Sequence, residues 1–168
     1  MVNPEIYVAC LASYNNSILH GRWISATQGI DEIYEEIYDM LAESPIEKSE
    51  EWALHDYSGF GDITLDEYEN IERVVNIAEF IAEHGELGAA LLGDYSIDDA
   101  QTLLEDSYHG AYDSEVDFTK SIFEECYSDA MPKNLVYYFD HEAFSRDLFM
   151  NDYFSVEAQG QTHVFSHY

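Results

Sequence analysis

The sequence predicts an α+β protein built as a chain of three small subdomains, and three observations carry that reading. β-rich runs stand towards both ends, apolar residues at helical spacing fill the middle, and glycine- or proline-marked breaks separate the segments. The chain has 168 residues, 46% of them apolar and 15% aromatic, which is enough for packed cores. It also carries 35 Asp and Glu against 6 Lys and Arg, a net charge of −29. Acidic chains of low hydrophobicity stay disordered, but 14 Tyr, 9 Phe and 2 Trp are the opposite signature. A charge of this size opposes compaction, so the acids are expected to spread over a surface.

Residues 1–61 are expected to form an N-terminal α+β subdomain. Ile6 to Ala12 and Ile18 to Ile24 are β-rich, and the turn-forming cluster Ser13 to Ser17 between them predicts a β-hairpin. From Thr27 to Ala42 the period changes: Ile30, Ile33, Ile37 and Leu41 form a helical stripe, Asp31, Glu35 and Asp39 recur every four residues on another face, and Pro45 closes the segment. Glu51 to Tyr57 reads as a third strand, and Ser58 to Gly61 as a loop at the subdomain boundary.

Residues 62–104 are expected to be a helical subdomain of three or four short helices. Ile71, Val74, Val75, Ala78, Ile81 and Ala82 carry the period, followed by Leu87 to Leu92 and by Ala100, Leu103 and Leu104, with breaks near Gly85 and Gly93. Ser96 with Asp99 resembles a capping box that starts the last of these helices. Residues 105–168 are expected to be a C-terminal α+β subdomain. Val116 to Cys126 and Asp140 to Met150 read as helices separated by Pro132, and Tyr153 to Ala158 with Thr162 to His167 as a closing hairpin across Gln159-Gly160-Gln161.

Three consecutive segments carry most of the charge with few cations among them. The first holds Asp31, Glu32, Glu35, Glu36, Asp39, Glu43, Glu47, Glu50 and Glu51 with only Lys48. The second holds Asp62, Asp66, Glu67, Glu69, Glu72, Glu79, Glu83 and Glu86 with only Arg73. The third holds Asp94, Asp98, Asp99, Glu105, Asp106, Asp113, Glu115 and Asp117 with no cation. A helix stabilised by its own side chains would place Lys or Arg four residues from Glu, and those partners are missing. Carboxylates at i and i+4 stand about 6 Å apart along a helix, close to the spacing of successive phosphates, so a row of them imitates a phosphate backbone. At one charge per about 1.7 Å of duplex, this net charge corresponds to roughly 50 Å of DNA, and two copies to roughly 100 Å, so a dimer would match a long DNA groove. The bland alternative is a solvated acidic surface that serves solubility alone.

Such a surface repels nucleic acid and anionic lipid, so the expected partner is basic, with no nucleic acid and no membrane among its ligands. Cys10 and Cys126 stand far apart without a CxxC, so neither a disulfide framework nor a zinc site is expected. The start of the chain lacks a basic region followed by an apolar stretch, and a soluble, cytoplasmic protein is expected.

Several segments stand out as specific sequence rather than composition: Ile6-Tyr7-Val8-Ala9, Tyr14-Asn15, Gly21-Arg22-Trp23-Ile24, His55 to Phe60, Ile77 to Ile81, and His84 to Gly88. In the C-terminal part they are Asn134-Leu135, Ala143 to Phe149, and Asn151 to Phe154. In these segments the chain resembles the ArdA antirestriction family of conjugative plasmids and transposons. The resemblance implies a curved, elongated, three-part protein acting as a homodimer. Its acidic surface would look like bent DNA and compete for the DNA site of type I restriction–modification enzymes, in the groove of their specificity and methyltransferase subunits. The family's antirestriction motif falls near 103–118, and the resemblance implies a dimer contact there, involving Leu103, Leu104, Tyr108, Gly110, Tyr112, Ser114 and Phe118. Ser17 and Ser25 depart from the family's usual Gly and Asp, the second removing a charge.

No catalytic, cofactor or metal site is assigned, and an enzyme is not expected. With 35 carboxylates a pair at glycosidase spacing arises by coincidence. His84-Gly85-Glu86 is not HExxH, and His163 and His167 lie too far apart along a strand to share a metal. No EF-hand, GxSxG, Walker or GxGxxG pattern is present, and the acids after Gly59-Phe60-Gly61 would repel phosphate. Arg22, Trp23 and Arg146 are expected in ion pairs or packing; Met40, Met131, Met150 and Ala89 to Leu92 are expected in the core. Tyr108 and Tyr112 are candidates for interface aromatics, with core packing as the alternative. Two other functional classes remain open at this level: a carboxylate-dependent hydrolase with one essential pair, and a haloadapted acidic protein that unfolds at low salt.

Overall fold

A computed structural model describes residues 3–167; Met1 and Val2, at the start of the segment read for an export leader, lie outside them. The described chain is mixed α+β, with seven α-helices and two three-stranded antiparallel sheets, and groups into two compact units, Met1–Ile97 and Asp98–Tyr168. Among the described residues no helix is long and apolar enough to cross a membrane.

The first unit is built on a sheet of β1 (Glu5–Cys10), β2 (Gly21–Ser25) and β3 (Trp52–Ser58), in the order β2-β1-β3. β1 is central, pairing Ile6 with Ile24 on one side and Val8 with Leu54 on the other, with a register shift between Tyr7 and Val8. Ile6, Val8 and Cys10 alternate into the core as a half-buried strand requires. The expected hairpin is an antiparallel pair, but not one closed by a tight turn. A short helix, α1 (Leu11–Asn15), connects the strands, started by the Cys10 thiol accepting a hydrogen bond from the Ser13 amide at 3.5 Å.

Helix α2 (Ile30–Ala42) turns Ile33, Ile37, Met40 and Leu41 inward. Helix α3 (Ile71–Asp94) adds Ile71, Val74, Val75, Ile77, Ala78 and Ile81, and begins where the Asn70 side chain accepts the Glu72 amide at 2.8 Å. Phe60, Ile63 and Leu65 enter the same core, so side chains before and after the boundary expected at 61–62 pack together. Gly85 interrupts α3 with φ 65° and ψ −145°, a conformation a Cβ forbids, and divides it into two helical segments. The break expected near Gly93 is the end of α3, which closes one residue later at Asp94.

Helix α4 (Ile97–Asp106) starts directly after Ser96, belongs to the second unit from Asp98 on, and buries Ala100 and Leu103. The sheet of this unit has the order β4-β6-β5, from β4 (Tyr108–Tyr112), β5 (Tyr153–Ala158) and β6 (Gln161–Ser166). The closing hairpin falls where the sequence places it, with Gln159 and Gly160 both at positive φ (55° and 73°), as a two-residue primed turn demands. Strand β4 has no counterpart among the sequence expectations. Gly110 sits inside it at φ 110°, beside a register shift, and gives a strand that reads locally as a loop.

Helices α5 (Glu115–Cys126), α6 (Lys133–Val136) and α7 (His141–Asn151) complete the unit. Phe118 and Phe123 are buried in an aromatic cluster, Phe118 lying 4.9 Å from Tyr153 and Phe123 4.2 Å from Phe139 between ring centroids. Met40 belongs to the first core as expected, but Met150 is 78% exposed at the end of α7 and Met131 is half-buried, so neither is a core residue of its unit.

Two of the three glycines of α3, Gly85 and Gly93, are expected to respond oppositely to alanine. Gly85→Ala should destabilise the protein by about 1–3 kcal/mol because of its backbone. Gly93→Ala, at a helical position with nothing within 4 Å of the added Cβ, should stabilise it by about 0.5–1 kcal/mol. Urea unfolding followed by circular dichroism measures both.

Candidate protein-binding surface: carboxylate rows on three helices

The periodicity that buries one face of α2 fixes where its acids go. With Ile33, Ile37, Met40 and Leu41 inward, Asp31, Glu35 and Asp39 lie outward in a row at i, i+4, i+8, and Glu32 is exposed beside them. Glu43, Glu47, Glu50 and Glu51 continue the exposed acids through the connection to β3. Asp62, Asp66 and Glu67 are exposed in the loop before α3, and Glu72, Glu79, Glu83 and Glu86 are exposed along that helix. Asp94, Asp98 and Asp99, then Glu105 and Asp106, are exposed at the end of α3 and on α4, and Asp113 is exposed after β4.

Of the acids expected to contact a partner, only Glu36, Glu69, Glu115 and Asp117 are half-buried, and none is buried. Those four are engaged within the protein. Glu36 accepts from Gln28 Nε2 at 2.6 Å, Glu115 from Ser155 Oγ at 2.8 Å, and Glu69 pairs with Arg73. Asp117 accepts from Lys120 Nζ and from Ser114 Oγ, both at 2.8 Å. The other acids of these segments are exposed, and some of them are held as well, Glu43 by Arg22 and Glu105 by Gln101 Nε2.

The cations do not break up the rows. Arg22 reaches Glu43 at 2.9 Å, Arg73 lies one turn from Glu69, and Lys120 one turn from Asp117, so three of the six are engaged in local pairs. Arg22 is thereby an ion-pair residue, and Trp23 packs on Tyr7 at 5.5 Å. Among the described residues no three His, Cys, Asp or Glu side chains converge as metal ligands.

The residues expected at a dimer contact fall into three environments. Leu103 and Phe118 are buried, and Leu104, Gly110, Tyr112 and Ser114 are half-buried. Ser114 caps α5 by accepting the Asp117 amide, and Tyr112 packs edge-on against Phe118 at 5.2 Å. Tyr108 is 37% exposed, and its hydroxyl bonds to His163 Nδ1 at 2.8 Å. Burial first, and then the nearby Tyr112, push the Tyr108 phenol above its ordinary pKa. Exposed acids also continue beyond the three segments, as Glu124 and Glu125 on α5 and Glu142 and Asp147 on α7. Their proximity in sequence to Lys120, Lys133 and Arg146 hides them from a search for cation-free runs.

These features define an acidic α+β protein whose helices carry their carboxylates in outward rows over apolar cores. The chain belongs to the ArdA antirestriction protein family, whose model matches residues 6–162. No curated protein matches it.

Asp117 offers a local readout of pH. The Lys120 hydrogen bond first, and the Ser114 hydrogen bond second, hold its carboxyl below the usual aspartate value of 3.8. A pKa depressed in the fold contributes stability above the unfolded value, and that contribution is lost as pH falls through the folded one. In a carboxyl NMR titration Asp117 should therefore titrate below the usual aspartate value, and Ser114→Ala should raise its midpoint.

Proposed function

We propose that the protein acts without catalysis as a mimic of DNA, occupying the DNA-binding groove of a type I restriction–modification enzyme and excluding DNA by competition. The observation that carries this reading is the outward row Asp31, Glu35 and Asp39 on α2, with Glu79 and Glu83 at the same spacing on α3 and Asp99 and Asp106 exposed seven residues apart on α4. A spacing of about 6 Å between acids four residues apart matches that of phosphates, and a groove that binds DNA is lined with the Lys and Arg such rows attract. Membership of an antirestriction family supports the same partner.

On this reading the basic groove of the specificity and methyltransferase subunits takes the rows in place of phosphates, in the cytoplasm. A homodimer, joined through the 103–118 region and with Tyr108 as its exposed aromatic, lengthens the charged surface to that of a long DNA site. No single acid dominates, because exposed charge pairs contribute only about 0.2–1 kcal/mol each.

Labelled cognate duplex bound to a purified type I methyltransferase tests the proposal. The protein should displace the duplex near stoichiometric amounts, and displacement should weaken as salt rises. A single change such as Glu35→Gln should shift the half-displacement concentration by no more than about fivefold, whereas Asp31→Asn, Glu35→Gln and Asp39→Asn together should shift it by about tenfold to a hundredfold. Loss of all inhibition on neutralising one exposed acid, or no displacement at low salt and large excess, would overturn this mechanism.

A further inference from the structure

A cleft of about 340 Å³ in the first unit is lined by Tyr34 of α2, Trp52 of β3, and Tyr68, Glu69, Asn70 and Ile71 at the entry to α3. We propose that this cleft is a binding site for a guanidinium group, filled by an arginine side chain of the basic partner.

The walls are aromatic and only partly covered. Tyr34 and Trp52 meet at 6.5 Å between ring centroids with their planes 72° apart, forming a corner, and Tyr68 stands 70% exposed at its side. Tyr34 also stacks on Tyr38, which is 62% exposed, so the aromatic surface runs out of the cleft along α2. Three ring-bearing residues from three separate parts of the chain converge here, although Tyr and Trp faces open to solvent gain nothing by exposure. The faces of such rings attract cations, and a planar guanidinium both stacks on them and keeps its N–H groups free at its edge.

The surroundings select the sign of the ligand. Asp31 lies one turn before Tyr34 and Glu35 one turn before Tyr38, and both acids are exposed, so the aromatic strip shares an edge with the carboxylate row of α2. Glu69, on the cleft wall, is already paired with Arg73. The attraction for an incoming cation therefore comes from the α2 row, while the rings supply the preference for a flat cation over a compact ammonium. The site differs from the carboxylate rows in kind: phosphate mimicry explains acids at regular spacing but not a ring-lined cleft beside them.

This assignment rests on the proposed function and extends it by placing one arginine of the partner, and its test uses no restriction enzyme. In a Trp23→Phe background Trp52 is the one tryptophan left. Hexa-arginine and hexa-lysine peptides are titrated against it at moderate salt, with Trp52 fluorescence as the readout. Hexa-arginine should bind about fivefold more tightly. Tyr34→Leu and Tyr68→Ala should each reduce that preference towards unity while leaving hexa-lysine binding nearly unchanged, and Tyr68→Phe should retain it. Because Tyr68 is exposed in a loop, its variants decide the matter even if Tyr34→Leu weakens the fold. Equal binding of the two peptides, or an arginine preference that survives Tyr68→Ala, overturns the site. Either result is independent of whether the protein displaces DNA from the methyltransferase.

Discussion

Like-charge repulsion is the constraint around which the molecule is organised, and apolar burial on the same helices is what offsets it. Two carboxylates 6 Å apart in water repel by roughly 0.7 kcal/mol before salt screening, and the α2 row contains two such pairs, Asp31 with Glu35 and Glu35 with Asp39. A fully buried Ile, Leu or Met contributes about 1.5–3 kcal/mol. Helix α2 sets four buried apolar side chains against its exposed acids, and the first segment of α3 sets more against Glu72, Glu79 and Glu83. The burial outweighs the repulsion, so α2 holds with no i, i+4 cation and α3 with a single such pair, Arg73 to Glu69. The strict two-faced pattern follows directly, because an acid turned inward would add a desolvation cost to the repulsion.

With so few cations available, ties between elements are made in other ways. Serine caps and hydrogen bonds replace many of the ion pairs of an ordinary surface. Ser44 Oγ lies 2.9 Å from the hydroxyls of both Ser13 and Ser49, and His20 Nε2 donates to the Met40 carbonyl at 2.6 Å. Aromatic contacts do the same in the second unit, where Phe118 packs against Tyr112, Phe149, Tyr153 and His109. Rings bury large areas and need no counter-charge, which fits a chain that keeps its charges for the outside.

Glu36, Glu115 and Asp117 serve the fold, whereas most of the other acids face solvent. These three are half-buried and hydrogen-bonded across short or long sequence distances, so replacing them disturbs packing as well as charge. The exposed members of the rows sit on rigid helices, which keeps their spacing regular. Regular spacing on a rigid support is what a surface needs if it is to present a repeating charge pattern to a groove.

Much of this arrangement is legible in the sequence because it is local. Helical period identifies α2, α5 and α7 nearly to their ends, the Gln159-Gly160 pair identifies the closing hairpin, and the same period places Asp31, Glu35 and Asp39 opposite the core. Gly85 marks the break in α3, because only a residue without a Cβ readily takes that backbone. What local pattern does not encode was decided by tertiary structure. The pairing of β3 with the far edge of β1, the recruitment of β4 through a glycine bulge, and the entry of Phe60, Ile63 and Leu65 into the first core all depend on residues distant in sequence. So do the exposure of Met150 and the meeting of Tyr34, Trp52 and Tyr68. Period and turn chemistry act within a few residues, whereas strand partners and shared clefts are set by which apolar faces find each other once the elements exist.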